Sequence, residues 1–325
     1  MMEPLLKVEN LKKYYPIKRM DSFTKLDYLK ALDGVNLELY EGETLGLVGE
    51  SGCGKSTTRK LLLYVEPPTG GSVCYKGKNI FEMNVTELKK YRRNVQTVYQ
   101  DPYSSLNPKW KVLKLVAEPM AIHHIGNRRS REKKVKELLS LVGLREGYID
   151  NFAHEFSGGQ RQRICIARAL ALDPKVIIAD EPVSALDVSI QAQVINLFKD
   201  LKEKLNLTYI FISHDLSVVK HISDRVAVMY LGKIIEIAAT DDLFNNAMHP
   251  YTRALVKAIP VADPTIKAAA AVLKGEVPSP IDPPSGCAFH PRCPEAMDIC
   301  REVVPERRLK ENGHQVACHL YPQVK

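Results

Sequence analysis

Long apolar runs are missing from this sequence. No stretch is long and apolar enough to span a bilayer, and Met1 to Asn10 lacks the apolar core of a secretory signal, so the chain is expected to fold in the cytosol. No internal repeat is evident, which sets repeat architectures aside. Closely paired cysteines are lacking too: there is no C-x2-C among the seven, which weakens an ordinary zinc ribbon. Nor does one sign of charge dominate locally. The net charge is +8, but the basic residues are scattered among acidic ones, and even the densest run, Arg128 to Lys134, contains Glu132. Such a charge suits nucleic acid, anionic lipid or simply solvated lysines, and the scatter favours solvated surface, with the dense run as a helix face.

What is present is ordinary for a globular protein, with 45% apolar and 26% charged residues in a chain of 325, long enough for two domains. One stretch is not ordinary. Gly49-Glu50-Ser51-Gly52-Cys53-Gly54-Lys55-Ser56-Thr57 fits G-x-x-x-x-G-K-[ST], between an apolar run at Thr44 to Val48 and an expected helix from Ser56 to Tyr64. Glycines at 49, 52 and 54 let the backbone approach phosphate oxygens closely, with N–H groups and a helix N-terminus aimed at them. Lys55 then reaches the β and γ phosphates, and the Ser56 hydroxyl holds Mg²⁺.

Strands are expected at Leu5 to Val8, Val35 to Leu39, Ser72 to Tyr75 and Val95 to Tyr99, with a polar loop between the first two. Tyr15 ends the first segment, placed either to stack on a purine or to fill the edge of the core. From Asp101 the chain turns to helical periodicity, through Val112, Leu115 and Val116 and again through Val135, Leu138 and Leu139, which reads as a helical insertion. Phe156-Ser157-Gly158-Gly159-Gln160 then opens a helix to Leu172, both a common N-cap and another anion-binding helix end. Val176 to Ala179 is a buried strand closed by Asp180-Glu181. Adjacent carboxylates at the C-terminal end of a parallel strand stand where ligands bind in α/β sheets and are costly to bury without a cation, so they read as metal support and base. Thr208 to Ser213 is a strand ending at His214, and Val226 to Tyr230 with Lys233 to Ile237 forms a hairpin before a helix at Tyr251 to Ile259.

In order, the phosphate loop, Gln100, Ser157 to Gln160, Asp180-Glu181, Ser184 to Asp187 and His214 resemble the ATP-binding cassette (ABC) ATPases over residues 5 to 260. Gln100-Asp101-Pro102-Tyr103-Ser104-Ser105-Leu106-Asn107-Pro108, Asp180 to Asp187, His249-Pro250-Tyr251-Thr252 and Cys287-Ala288-Phe289-His290-Pro291-Arg292-Cys293-Pro294 narrow the resemblance to ATP-binding subunits of oligopeptide and dipeptide importers. It implies an α/β fold with an ABC-type P-loop NTPase core, antiparallel β and helical subdomains, and a small Cys/Pro-rich C-terminal domain. The expected boundaries are 1–262 for the nucleotide-binding domain, with its helical part at about 101–170, and 263–325 for the tail.

The resemblance also assigns roles. Tyr15 stacks on adenine; Gly49, Ser51, Gly52, Cys53, Gly54, Lys55, Ser56 and Thr57 cradle ATP; Ser56, Gln100 and Asp180 serve Mg²⁺. Glu181 polarises the attacking water, Gln100 senses metal or water, and His214 contacts the γ-phosphate. Ser157, Gly159 and Gln160 act on the nucleotide of a second ABC ATPase subunit, often a different chain. Two integral membrane permease subunits meet the helical insertion near Gln100 to Asn107, and an external peptide-binding protein acts indirectly. The place implied is the cytoplasmic face of the cell membrane, with no nucleic-acid partner. Nickel or glutathione importers share these motifs. Soluble ABC ATPases of DNA repair fit less well, because they usually carry long insertions where Lys55 and Ser157 are only 102 residues apart. Those of translation usually hold two cassettes in one chain, and one is present here.

Ten of the twenty prolines fall in the last 66 residues, with Cys287, Cys293, Cys300 and Cys318 spaced C-x5-C-x6-C-x17-C. Reduced thiols are expected in a cytosolic ATPase, and four thiolates suit tetrahedral Zn²⁺ or an iron–sulfur cluster. The spacing does not choose between them. The resemblance favours a [4Fe–4S] cluster, with zinc as the alternative and His290, His314 and His319 as substitute ligands.

Overall fold

A computed structural model describes residues 3–18, 26–259, 275–310 and 313–321. The chain forms two compact units, one from residues 1–39, 45–81 and 213–325 and the other from 40–44 and 82–212. The expected boundary at 262/263 lies outside the described residues.

The first unit contains two groups of strands. β1 (Leu6–Lys18) pairs antiparallel with β2 (Leu26–Leu39) along nearly its whole length, from Leu6 opposite Leu39 to Lys18 opposite Leu26. The polar loop expected between the first two strands is therefore largely strand. Its distal half is not buried on one face, so no apolar alternation marks it, and three register irregularities between Val8 and Tyr14 break the period further. β4 (Gly70–Tyr75) joins the other edge of β1, followed by β5 (Lys78–Asn79). The second group runs β3 (Thr44–Val48), β9 (Arg225–Tyr230), β10 (Lys233–Ala239), β12 (Gln315–Val316) and β11 (Arg308–Leu309). β3 and β9 are parallel, and β3 is wholly buried, which is why it reads as a continuous apolar run. Helices α1 (Lys55–Leu62), α8 (Leu216–Ile222), α9 (Thr240–Asn245) and α10 (Pro250–Lys257) complete this unit, with the single turn α11 (Ile299–Glu302) in the tail.

The second unit is built on three parallel strands, β6 (Val95–Val98), β7 (Val176–Asp180) and β8 (Thr208–Ile212), with β7 between the other two and both β7 and β8 fully buried. Phe198 of α7 (Val188–Leu205) meets Tyr209 and Phe211 edge-on at 5.6 and 5.8 Å, anchoring that helix to the strands. α2 (Val85–Asn94) leads into β6 from a complete Asn84–Glu87 capping box. The helical insertion comprises α3 (Pro102–Ser105), α4 (Val112–Ile122), α5 (Arg128–Leu141) and α6 (Gly158–Leu170). Val112, Leu115, Val116, Val135, Leu138 and Leu139 are all buried, as their spacing predicts.

Candidate nucleotide site

In the first unit, β3 delivers the glycine-rich loop to the start of α1. The loop is shaped by two positions that admit no side chain. A Cβ on Gly49 would lie 2.2 Å from the Met229 carbonyl oxygen, and one on Gly54 would lie 2.6 Å from that of Ala31, both at positive φ. Lys55 is buried, and its Nζ donates to the carbonyls of Gly49 (2.6 Å) and Glu50 (3.0 Å). The loop thus closes on its own lysine, while Ser51, Gly52 and Ser56 remain exposed and Thr57 half-buried. Cys53 is buried, and burial raises its thiol pKa against the opposing pull of Lys55, so the side chain stays neutral packing.

Tyr15, on β1, is held by its hydroxyl, which donates to both carboxylate oxygens of Glu66 at 2.9 Å. Burial and then Glu66 push the phenol up to about 12, so it remains a neutral donor. The ammonium of Lys13 stands 5.0 Å from the ring centroid. His214 is exposed at the bend after β8, immediately before the Asp215 cap of α8.

In the second unit, Asp180 is the buried last residue of β7, and Glu181 follows with φ +47°. This left-handed backbone is uncommon for glutamate and costs on the order of 1 kcal/mol. It is held by the Glu181 N–H donating to the Ile212 carbonyl at 2.8 Å, and by Ser184 donating from its N–H and hydroxyl to the Glu181 carbonyl. The Glu181 carboxylate accepts from Gln100 Nε2 at 2.9 Å. Two of the residues singled out in the sequence therefore meet directly.

Ser157 caps α6. Its hydroxyl accepts from the Gln160 N–H at 3.4 Å, and the Gln160 side chain accepts from the Ser157 N–H at 3.1 Å. Gly159 has a packing reason to be glycine, since a Cβ there would lie 2.5 Å from Ile190 Cγ2.

In the tail, the Cys287 N–H donates to the Cys300 carbonyl at 2.8 Å, tying the first and third cysteines together through the main chain. Burial, with the neighbouring thiols, raises the pKa of Cys287, Cys293 and Cys318, the last to about 11. None of these thiols is in a disulfide. Among the described residues no group of three or more His, Cys, Asp or Glu side chains converges to hold a metal. The donor set suits a metal centre; the side chains as placed do not enclose one.

Residues 32–184 match the family described as ABC transporter, and residues 235–300 match the oligopeptide/dipeptide transporter C-terminal region. The chain is 52% identical to the oligopeptide transport ATP-binding protein AppF of Bacillus subtilis, covering 98% of each chain. It is 48% identical to the dipeptide transport ATP-binding protein DppF of Escherichia coli, covering 99% of this chain and 96% of the other. The chain belongs to the ABC transporter family. Solved structures agree: a bacterial ABC transporter cassette, described as dimeric both in one structure and in a post-hydrolysis state bound to ADP and Pi, superposes with TM-scores of 0.62 and 0.63. Each comparison is at 31% identity and covers 72% of this chain and 98% of the other. The fold is that of an ABC ATPase, as the order of motifs implies.

Sequence reasoning missed two partners of the ABC phosphate loop. The Glu50 N–H donates to the Tyr251 hydroxyl at 2.9 Å, and the Glu50 carboxylate is paired with Arg292 of the tail. Also missed, apart from the loop, is the buried carboxylate of Glu236 on β10, which accepts from the N–H groups of Met248 (2.6 Å) and His249 (3.0 Å) and lies 2.7 Å from His314 Nε2. An acid within the apolar run Ile234 to Ala238 was the available signal, because buried acids require partners.

Proposed function

We propose that this ABC ATPase hydrolyses ATP to power import of dipeptides or oligopeptides, working at the cytoplasmic face of the membrane beneath two permease subunits and beside a second ATPase subunit. The observation that carries this reading is the family likeness extending through residues 235–300, beyond the cassette and into the region described for peptide transporters.

The chemistry requires charge neutralisation and positioning more than covalent catalysis. Lys55 exchanges its carbonyl partners Gly49 and Glu50 for β- and γ-phosphate oxygens. The N–H groups from Gly49 to Thr57 cradle the chain of phosphates, Tyr15 stacks on the adenine, and His214 contacts the γ-phosphate. Mg²⁺, when bound, neutralises phosphate charge; Ser56, Asp180 and Gln100 are the residues that serve it. Glu181 acts as base toward water, with Gln100 fixing its carboxylate. Ser157, Gly159 and Gln160 act on the partner subunit's nucleotide, and the dimeric state named for the similar cassette supports that arrangement.

The permease contact is assigned to the groove along residues 103–110. Its volume is about 730 Å³, and its lining includes Tyr103, Asn107, Trp110 and Arg168. Cys287, Cys293, Cys300 and Cys318 are assigned as thiolate donors of a [4Fe–4S] centre, with zinc as the other metal that such donors accept. No catalytic step depends on it.

The test is ATPase activity of the transporter assembled with its permeases and binding protein, challenged in turn with dipeptides, oligopeptides, glutathione and Ni²⁺. Stimulation by peptides supports the reading. Stimulation only by Ni²⁺ or glutathione replaces the solute but keeps the ATPase, and no nucleotide turnover with any solute defeats it.

A further inference from the structure

The phosphate loop contains one acid, Glu50, where a polyanion is to bind. A carboxylate within a few ångströms of phosphate opposes binding unless its charge is compensated. Its compensation comes from 242 residues away. Arg292 Nη1 donates to Glu50 Oε2 at 2.8 Å and Nη2 to Oε1 at 3.1 Å, a forked pair with the arginine side chain 6% exposed and the glutamate 27%.

The support behind Arg292 is firm. It ends a short 3₁₀ turn, His290–Arg292, between Cys287 and Cys293. The preceding Phe289 is buried against Tyr230, Tyr251 and His249, at centroid separations of 5.3, 5.4 and 5.5 Å. Tyr251 accepts from the Glu50 N–H, so the same aromatic group steadies both the loop main chain and the turn that carries the guanidinium. Glu50 is tied to the rest of the loop as well, because its carbonyl accepts from Lys55 Nζ and from the Cys53 N–H.

We infer that Arg292 is a positioning residue for ATP binding: it neutralises Glu50 and draws that carboxylate away from the phosphate cradle, so that the tail sets the nucleotide affinity of the loop. The inference rests on reading residues 49–57 as the ATP phosphate site. A tail that was merely anchored by this ion pair would leave nucleotide affinity untouched.

Charge compensation makes predictions of opposite sign at the two ends of the pair. In the purified full-length chain, displacement of a fluorescent ATP analogue by Mg-ATP measures Kd. Arg292→Gln is expected to weaken binding about tenfold, by leaving the acid uncompensated. Glu50→Gln is expected to tighten it severalfold, because the guanidinium then faces the phosphates alone. The double variant returns near the wild-type value. Arg292→Gln binding within twofold of wild type, or Glu50→Gln binding equally or more weakly, overturns the inference; Glu50→Gln decides it even where Arg292→Gln does not fold. Lys55→Ala keeps the two questions apart: a wild type that does not bind Mg-ATP, or Lys55→Ala binding as well as wild type, defeats the phosphate-site reading itself.

Discussion

The side-chain amide of Gln100 donates to the carboxylate of Glu181 at 2.9 Å, fixing the rotation of the acid that follows the buried end of β7. Glutamate and glutamine have nearly the same shape, so Glu181→Gln removes the carboxylate proposed as base while leaving the strand end and its hydrogen bonds largely intact. Hydrolysis in the assembled transporter is expected to fall by about 10²-fold or more, the usual contribution of a positioned base. ATP binding is expected to stay within a few-fold of wild type. Single-turnover hydrolysis alongside equilibrium binding measures both, and an unimpaired rate removes Glu181 from the role of base.

Gly159 separates a packing role from a functional one. Gly159→Ala drives a Cβ to 2.5 Å from Ile190 Cγ2 and is expected to destabilise the fold by about 1–3 kcal/mol, a typical overpacking cost. Adding Ile190→Ala frees that space and should recover part of the stability in thermal unfolding. If Gly159 also meets a partner's nucleotide, the double variant remains poor in ATPase assays despite its recovered stability. Recovery of both together would confine Gly159 to packing.

Acid should weaken the first unit in two overlapping stages. His249 is buried and its Nδ1 accepts from the Tyr251 N–H, which requires that nitrogen unprotonated. Burial lowers its pKa from 6.5 to about 4, with Arg253 acting in the same direction and Glu236 against it. Between those values the unfolded chain binds the extra proton, so stability rises with pH across this window and is lost as pH falls from about 6.5 to about 4, by up to ~3 kcal/mol. Burial alone would raise Glu236, but hydrogen bonds led by His314 hold it below 4.5, so its contribution disappears at still lower pH. Melting temperatures from pH 7 to 4 should show the decline. His249→Asn, which preserves a cap acceptor, should flatten the upper part, and an unchanged slope would assign the acid sensitivity elsewhere.

The tail cysteines are tested by composition. Protein purified without oxygen is expected to be brown, with near-stoichiometric iron and sulfide, and Cys293→Ser is expected to lose both. Colourless protein containing zinc would exchange one metal for the other. Protein without bound metal would make the four thiols a structural cluster only.

Much of this molecule is written locally. The phosphate loop, the acids after β7 and the cap at Ser157 are short motifs whose chemistry depends on adjacent residues, and β3, β7 and β8 are apolar because every side chain is buried. The distal β1–β2 ribbon was illegible because it lacks a single buried face, and α8 and α9 because seven and six residues give too little periodicity. The Glu50–Arg292 pair was hidden for another reason. Nothing local to either residue identifies a partner 242 positions away.

The discontinuous make-up of the first unit also fixes an order of assembly on the ribosome. β3 cannot meet β9 until residue 225 has been synthesised, and β10 gains its neighbour β12 only when Gln315 and Val316 emerge. Residues 82–212 are synthesised before either pairing can form. A chain stopped short of residue 314 would therefore contain every residue of the phosphate loop and of the acids after β7, but would leave Glu236 without His314 and one edge of β10 open to other chains.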